Sequence, residues 1–328
     1  MSQAANNASA LLAAGRTAQA IQCLETAAAA DDADAMATLA TWLLIGNPMP
    51  RDLSAARHWF ARAAHAGHEW AALTEIALTA NGTGASAATS PAERWMAALN
   101  LLDAAAAHFP VAAEHLALVH AMDLDSAGYP AQRPDGETLL TTPAVRLHQR
   151  LLTPDECAHI ALAAQELLEP SQVADPATGQ MIDHPIRTSD AAVIGPTRES
   201  LPLQALQRRI AAFARLPVDN GESLTVLRYR PGQQYRRHLD TLPRTSNQRV
   251  ATVIVYLNEG YSGGETRFSE SGLTIAGRGG DALFFANVDQ RGQPDTQSAH
   301  AGLPVKAGVK WVATRWIRAA THDVWNPR

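Results

Sequence analysis

His238-Leu239-Asp240, read with His300 and Lys310 downstream, is the stretch that decides this chain. On a β-strand, residues two apart point to the same side. His-x-Asp is therefore the shortest way to offer one nitrogen and one oxygen ligand from a single strand. A second imidazole from His300 gives two nitrogens and one carboxylate on one face of an octahedral ion, a set that suits Fe(II) and leaves positions open. The triplet alone is weak. With 12 histidines and 32 acidic residues in 328, about one acid two places after a histidine is expected by chance. A solvated surface pair would explain it. Its surroundings change the odds.

Residues 224–229 form a β-rich run that ends at the turn signal Pro231-Gly232. Residues 233–240 then read as a short strand or strand approach carrying both ligands, followed by a polar loop over 241–248. Residues 250–257 have the β-branched content and length of a central strand, with Val250, Thr252, Ile254 and Tyr256 on one face. Further strands are predicted over 281–285 and 310–317. Alternation in the last one places Lys310, Val312, Thr314 and Trp316 on one face. A lysine heading an apolar face needs an anion if it points inward, because an unpaired buried charge is costly. Otherwise it snorkels at the strand end. Its position ten residues after His300 favours the inward reading.

These segments resemble the prolyl 4-hydroxylases within the Fe(II)/2-oxoglutarate dioxygenases. The resemblance rests on Ile186-Arg187-Thr188-Ser189, on Tyr229 through Tyr235 to His238 and Asp240, on Tyr256-Leu257-Asn258, and on Gly263-Gly264-Glu265-Thr266-Arg267-Phe268. It continues through residues 280–285, His300 to Trp311, and Thr314-Arg315-Trp316, and covers residues 146–328. It implies that His238, Asp240 and His300 hold Fe(II), and that Lys310 pairs with the distal carboxylate of 2-oxoglutarate. Tyr256 and Thr314 match hydroxyls lining that pocket. Tyr229 and Tyr235 match tyrosines flanking the metal, the alternative being core aromatics. Arg187, with Ser189, matches the family's pre-barrel strand, where a contact with substrate is one reading. Trp316 either borders the substrate pocket or fills the core. The implied reaction consumes O₂ and 2-oxoglutarate, with ascorbate as a reductant, releases succinate and CO₂, and hydroxylates an unactivated C–H bond. Two departures bear on substrate: Leu242 stands where many members carry an aromatic, and Arg267 replaces a small apolar residue. Asp240 itself argues against halogenation, since related halogenases have Ala or Gly there.

The first 120 residues have another texture, rich in alanine and leucine at helical spacing. Residues 35–67 form the clearest of several internal copies, with weaker ones over 18–39 and 91–119. They resemble the Sel1-like repeat, a relative of the tetratricopeptide repeat, whose stacked helix pairs offer a concave binding surface. A peptide or protein substrate held there is one expectation; a packing or dimerisation domain is the other. Residues 121–145, with Gly128, Pro130, Pro134, Gly136 and Pro143, read as a linker. Thr153 and Pro154 mark a helix start. The stretch 171–185 reads as a loop, with a substrate lid as the rarer alternative.

The fold expected is therefore α+β and multidomain: a helical repeat domain over 1–120, then a double-stranded β-helix, or jelly-roll, oxygenase domain over 146–328. A net charge of −5 argues against nucleic acid and membrane surfaces as partners. No apolar run is long enough to span a bilayer. Two cysteines and the absence of a basic, signal-like N-terminus point to the cytoplasm. A prolyl residue in a peptide or protein is the expected substrate. The rivals are a small molecule, such as a free amino acid or a biosynthetic intermediate, and an inert barrel serving a repeat scaffold.

Overall fold

Alanine and leucine at three- and four-residue spacing build helices, and seven of them precede the first strand. They lie among the residues described by the computed structural model, 1–84, 89–174, 181–183 and 186–325. They are α1 (Gln3–Ala13), α2 (Thr17–Ala29), α3 (Ala33–Ile45), α4 (Leu53–His65), α5 (Glu69–Asn81), α6 (Pro91–Ala106) and α7 (Pro110–His120). Each packs against the next, which makes a stack of helical hairpins. The clearest sequence repeat is α3 with α4, where the fully buried Ala56 and Ala63 let the pair approach closely. The Asp32 side chain accepts from the Ala35 amide over 3.0 Å to start α3. Gly46, at φ 81°, ends it in the left-handed conformation that favours glycine. Between α4 and α5, Arg57 donates from Nε to Glu75 over 3.2 Å and from Nη2 to Thr79 Oγ1 over 2.7 Å.

Pro196–Gln204 clusters with these helices although it lies far along the chain. Asn81 Nδ2 donates to the Pro196 carbonyl over 3.1 Å, and Gln204 Nε2 to the Ala77 carbonyl over 3.0 Å. No hydrophobic pattern announces such a contact, because it joins side-chain amides to backbone carbonyls.

The second compact unit comprises Tyr129–Gly195 and Ala205–Arg328. Its elements begin with β1 (Glu137–Thr141), β2 (Ala144–His148), α8 (Pro154–Gln165), β3 (Glu169–Pro170), β4 (Gln172–Ala174), β5 (Met181–Asp183), β6 (Asp190–Ile194) and α9 (Leu201–Ala214). They continue with β7 (Leu224–Tyr229), β8 (Tyr235–His238), β9 (Arg249–Tyr256), β10 (Ser262–Gly263), β11 (Thr266–Phe268) and β12 (Thr274–Ile275). The last are β13 (Ala282–Ala286), β14 (His300–Gly302), β15 (Val305–Ala307) and β16 (Lys310–Arg318). An antiparallel sheet of eight strands runs β1-β2-β13-β9-β16-β7-β6-β3, and one of four runs β12-β11-β14-β8. Leu227, Tyr229, Tyr256, Leu283, Phe285 and Val312 from the larger sheet meet Phe268 and Ile275 from the smaller in one buried cluster. That is the jelly-roll architecture. α8 opens with the reciprocal Thr153 and Glu156 capping box behind Pro154, and packs on β6 and β7.

Three expectations change. The stretch read as a linker, 121–145, contains β1 and the start of β2, and β2 pairs with β13 along four positions. Leu139 and Leu140 are half-buried against the core, an apolar pair too short to stand out between prolines and glycines. Within 171–185 the structure places the hairpin β4–β5; the rest of that stretch, with the lid expected there, lies outside the described residues. Asp240, finally, is not on the strand that carries His238, because β8 ends at His238.

Arg57 and Glu75 are largely buried, so removing one partner strands the other. Arg57→Ala is expected to cost the helical unit about 3 kcal/mol, read as an earlier urea transition in far-UV circular dichroism. The double replacement Arg57→Met with Glu75→Leu should recover most of that loss.

Candidate active site

Pairing between β14 and β8 sets His300 directly opposite His238. Cross-strand neighbours of this kind bring side chains together on one face, and the two rings lie 4.3 Å apart between centroids. The chain turns off β8 just after His238, and the Asp240 carboxylate swings back between them. Its Oδ1 is 3.4 Å from His238 Nε2, and its Oδ2 is 3.9 Å from His300 Nε2. Among the described residues these three form the one cluster with metal-ligating atoms all within 4.8 Å of one another.

Whether the donor set fits Fe(II) depends on which ring nitrogen is free. His238 Nδ1 lies 2.8 Å from the Arg236 carbonyl, and His300 Nδ1 lies 3.0 Å from the Ser298 carbonyl. A carbonyl only accepts, so each Nδ1 carries the proton and each Nε2 keeps its lone pair for a metal. Burial pushes His300 down to about 4, outweighing the pull of Asp240, so that ring stays neutral and able to ligate. Burial alone would raise the Asp240 carboxyl. The hydrogen bond and charge at His238, the His300 charge and the Thr252 hydroxyl reverse that and hold it well below the usual carboxylate range. Two imidazoles that present Nε2 and one ionised carboxylate fit Fe(II).

Aromatic rings fix the imidazoles from outside. Tyr235 stacks on His238 with centroids 3.5 Å apart and planes 12° from parallel. Phe285 meets the His300 ring at 4.6 Å. The Arg187 guanidinium lies over the Tyr235 ring, 5.5 Å from its centroid.

A narrow cavity runs from the triad to Lys310. Lys310, Val312, Thr314 and Trp316 all line it, as the alternation in β16 predicts. So do Tyr229, Leu227, Thr252, Ile254 and Thr266. Lys310 is 4% exposed, and its ammonium donates to the neutral Gly264 carbonyl over 2.6 Å. Gly264 sits at φ 71°, which turns that carbonyl toward the lysine. The rings of Tyr229 and Tyr256 flank the ammonium at 5.6 and 5.3 Å. Burial pushes Lys310 down to about 8. Tyr256 stands one layer behind the cavity wall. Its hydroxyl donates to Thr266 Oγ1 over 2.8 Å, and Thr266 lines the cavity.

Tyr235, Asp240 and Trp316 are shared with an adjoining open groove lined also by Arg187, Val193, Thr225, Leu242 and Arg249. Trp316 thus divides cavity from groove. Arg249 packs over its ring at 4.0 Å while donating to both Glu222 oxygens, at 2.7 and 2.8 Å. Arg267 lines neither space. It lies exposed on the outer side of β11, because Thr266 and Phe268 on either side of it face inward. Sequence reading did not single out Thr252, Thr266 or Asn287. The face assigned to β9 contained the signal for Thr252; Asn287, just past a strand end, had none.

Comparison with known proteins agrees with this geometry. Residues 224–318 match the family described as the 2OG-Fe(II) oxygenase superfamily. Prolyl 4-hydroxylase 1 of Arabidopsis thaliana is 35% identical over 201 residues, which span 56% of this chain and 71% of that protein. The chain belongs to the prolyl 4-hydroxylase family and is a 2-oxoglutarate-dependent dioxygenase with Fe(II) as its metal. The reading as an inert barrel is thereby set aside. Among solved structures, the viral collagen prolyl hydroxylase of Paramecium Bursaria Chlorella virus-1 in its 2OG complex is 30% identical, covering 54% of this chain and 96% of that one with a TM-score of 0.44. A Sel1 repeat protein from Oxalobacter formigenes is 22% identical, covering 35% of this chain and 85% of that one with a TM-score of 0.30.

Glu222 supports the groove wall from between Arg249 and Arg318. Burial would raise its carboxyl, but the two guanidiniums hold it below its ordinary 4.5. Its contribution is therefore complete above that value and is lost as the pH falls through the lowered one. In thermal scans from pH 6 to pH 3, wild type should lose stability more steeply at the acid end than Glu222→Gln.

Proposed function

We propose that this dioxygenase hydroxylates a prolyl residue within a peptide or protein, releasing succinate and CO₂. His238, Asp240 and His300 hold Fe(II), and Lys310 receives the distal carboxylate of 2-oxoglutarate. One observation carries the reading: a single cavity has a metal-type triad at one end and a buried ammonium at the other, and it meets an open groove at the triad. With Fe(II) bound, O₂ would be the oxidant and 2-oxoglutarate the co-reductant, one oxygen atom going to the C–H bond and the other to succinate, while the chain supplies binding, orientation and exclusion of water.

Thr314 and Thr266 offer hydroxyls beside Lys310, while Leu227, Ile254 and Val312 keep the middle of the cavity apolar. An anion there is matched at its charged end and excluded elsewhere. Tyr235 and Trp316 flank the mouth with aromatic side chains beside which a pyrrolidine ring fits. The groove also speaks to substrate class. Among the described residues lining it, Asp240 is the one acid, and its carboxylate is committed to the triad. The ammonium of a free amino acid would find no counter-charge there. A residue whose nitrogen is already in an amide bond has no such need, which favours a peptide over a free amino acid. The helical hairpins are a surface on which a polypeptide substrate can be held, since such stacks bind extended partners.

The test is an anaerobic titration with Fe(II) and 2-oxoglutarate, following the visible metal-to-ligand charge-transfer band. A band present in wild type, absent in His238→Ala and weakened in Lys310→Ala is expected, followed by a mass gain of one oxygen on a proline-rich peptide in air. No band at saturating ligand would sink the metal assignment. A normal band without any peptide oxidation would sink the substrate class alone.

Lys310 also sets a pH dependence. The charged ammonium binds the dicarboxylate, and burial places its proton loss near about 8 in the free site. Affinity for 2-oxoglutarate should be flat below that value and fall above it, by up to about tenfold per pH unit. The same titration at pH 7, 8 and 9 reads this, and Lys310→Arg, charged throughout, should flatten the profile.

A further inference from the structure

Behind the triad, Thr252 on β9 donates its hydroxyl proton to Asp240 Oδ2 over 2.6 Å. Asn287 Nδ2 donates to the same Thr252 oxygen over 2.9 Å. Thr252 and Asn287 are completely buried. Donor counting settles the direction of this relay. An ionised carboxylate only accepts, and a threonine hydroxyl has a single proton. That proton goes to Asp240, so Thr252 is left to accept, and the carboxamide must present its NH₂ group. In this orientation Asn287 Oδ1 is buried with no hydrogen-bond partner. An orphaned buried acceptor is destabilising. Turning the amide over would only set its oxygen against a hydroxyl whose proton is already committed. The Asn287 main chain is held as well: its amide donates to Val250 over 2.9 Å, and its carbonyl accepts from Asp295 over 3.0 Å. The fold therefore keeps a buried amide in a costly orientation at the one place where its N–H reaches the hydroxyl that grips a ligand carboxylate.

We infer that Asn287 is a positioning residue for the metal centre, acting through Thr252 to hold Asp240 Oδ2 and aim the carboxylate at the two imidazoles. This rests on the proposed reading of His238, Asp240 and His300 as metal ligands and extends it to two residues that are not themselves ligands. A purely structural asparagine at a strand end would affect folding, but its effect on metal affinity would not depend on Thr252.

The experiment is a titration of the full chain with Co(II), without 2-oxoglutarate, following the visible ligand-field absorption. Thr252→Val keeps the volume and removes the proton; it should weaken Co(II) binding by about 10–100-fold, the usual range for a group behind a ligand. Thr252→Ser should bind as wild type does. Asn287→Ala should also weaken binding, but should add nothing in a Thr252→Val background. If Asn287→Ala does not fold, the Val and Ser replacements at 252 decide the matter. Thr252→Val binding as tightly as wild type overturns the inference. So does an Asn287→Ala effect of the same size with and without the Thr252 hydroxyl. Wild type that takes up no Co(II) overturns the metal assignment beneath it, a result distinct from tight binding that no variant disturbs.

Discussion

A carboxylate 5% exposed must stay ionised between two imidazoles, and the oxygenase unit is arranged around that requirement. Removing Asp240 from water favours its protonated form. The surrounding groups reverse the balance: His238 lies 3.4 Å from one oxygen, and Thr252 donates to the other over 2.6 Å. These partners come from different strands. β8 brings His238, β14 brings His300, and β9 brings Thr252 from the opposite sheet. The facing of the two sheets is thus what makes an ionised Asp240 tenable in a dry interior.

The cavity extends the same logic along its length. The smaller sheet supplies the two imidazoles, and the larger supplies Lys310 at the head of β16, with Thr314 and Trp316 on the same face. Charge is confined to the two ends, and the walls between are apolar. A ligand with complementary ends is oriented before any chemistry begins, and water has few partners along the way. Trp316 ends one space and begins the other, and it is held by Arg249, which is itself held by Glu222. Groove shape is tied in this way to an ion pair outside the groove.

Much of this was legible beforehand because it lies in short-range pattern. Alternation placed Lys310, Val312, Thr314 and Trp316 on one face, and all four line the cavity. Thr153 and Pro154 announced α8 through capping chemistry that is local by nature. Where the pattern was interrupted, the reading slipped. β1 was hidden among prolines and glycines, and Arg267 was placed near the substrate although a one-residue step in β11 turns it outward. Tyr256 was assigned a hydroxyl at the pocket wall, whereas its hydroxyl is used on Thr266.

The sequence by itself determined the class of chemistry. Two histidines, an aspartate and a lysine of the right types follow one another at spacings that strands convert into a shared face. Only the tertiary structure decided how those groups are held. His300 stands opposite His238 through a pairing 62 residues apart in sequence. Asp240 reaches the site from beyond its strand, and Asn287 supports it from 47 residues downstream through a hydroxyl on a third strand. The segment 196–204 joins the helices through two amides. Each of these is a contact between distant parts of the chain, carried by one or two hydrogen bonds. Such contacts leave no periodicity for the sequence to display.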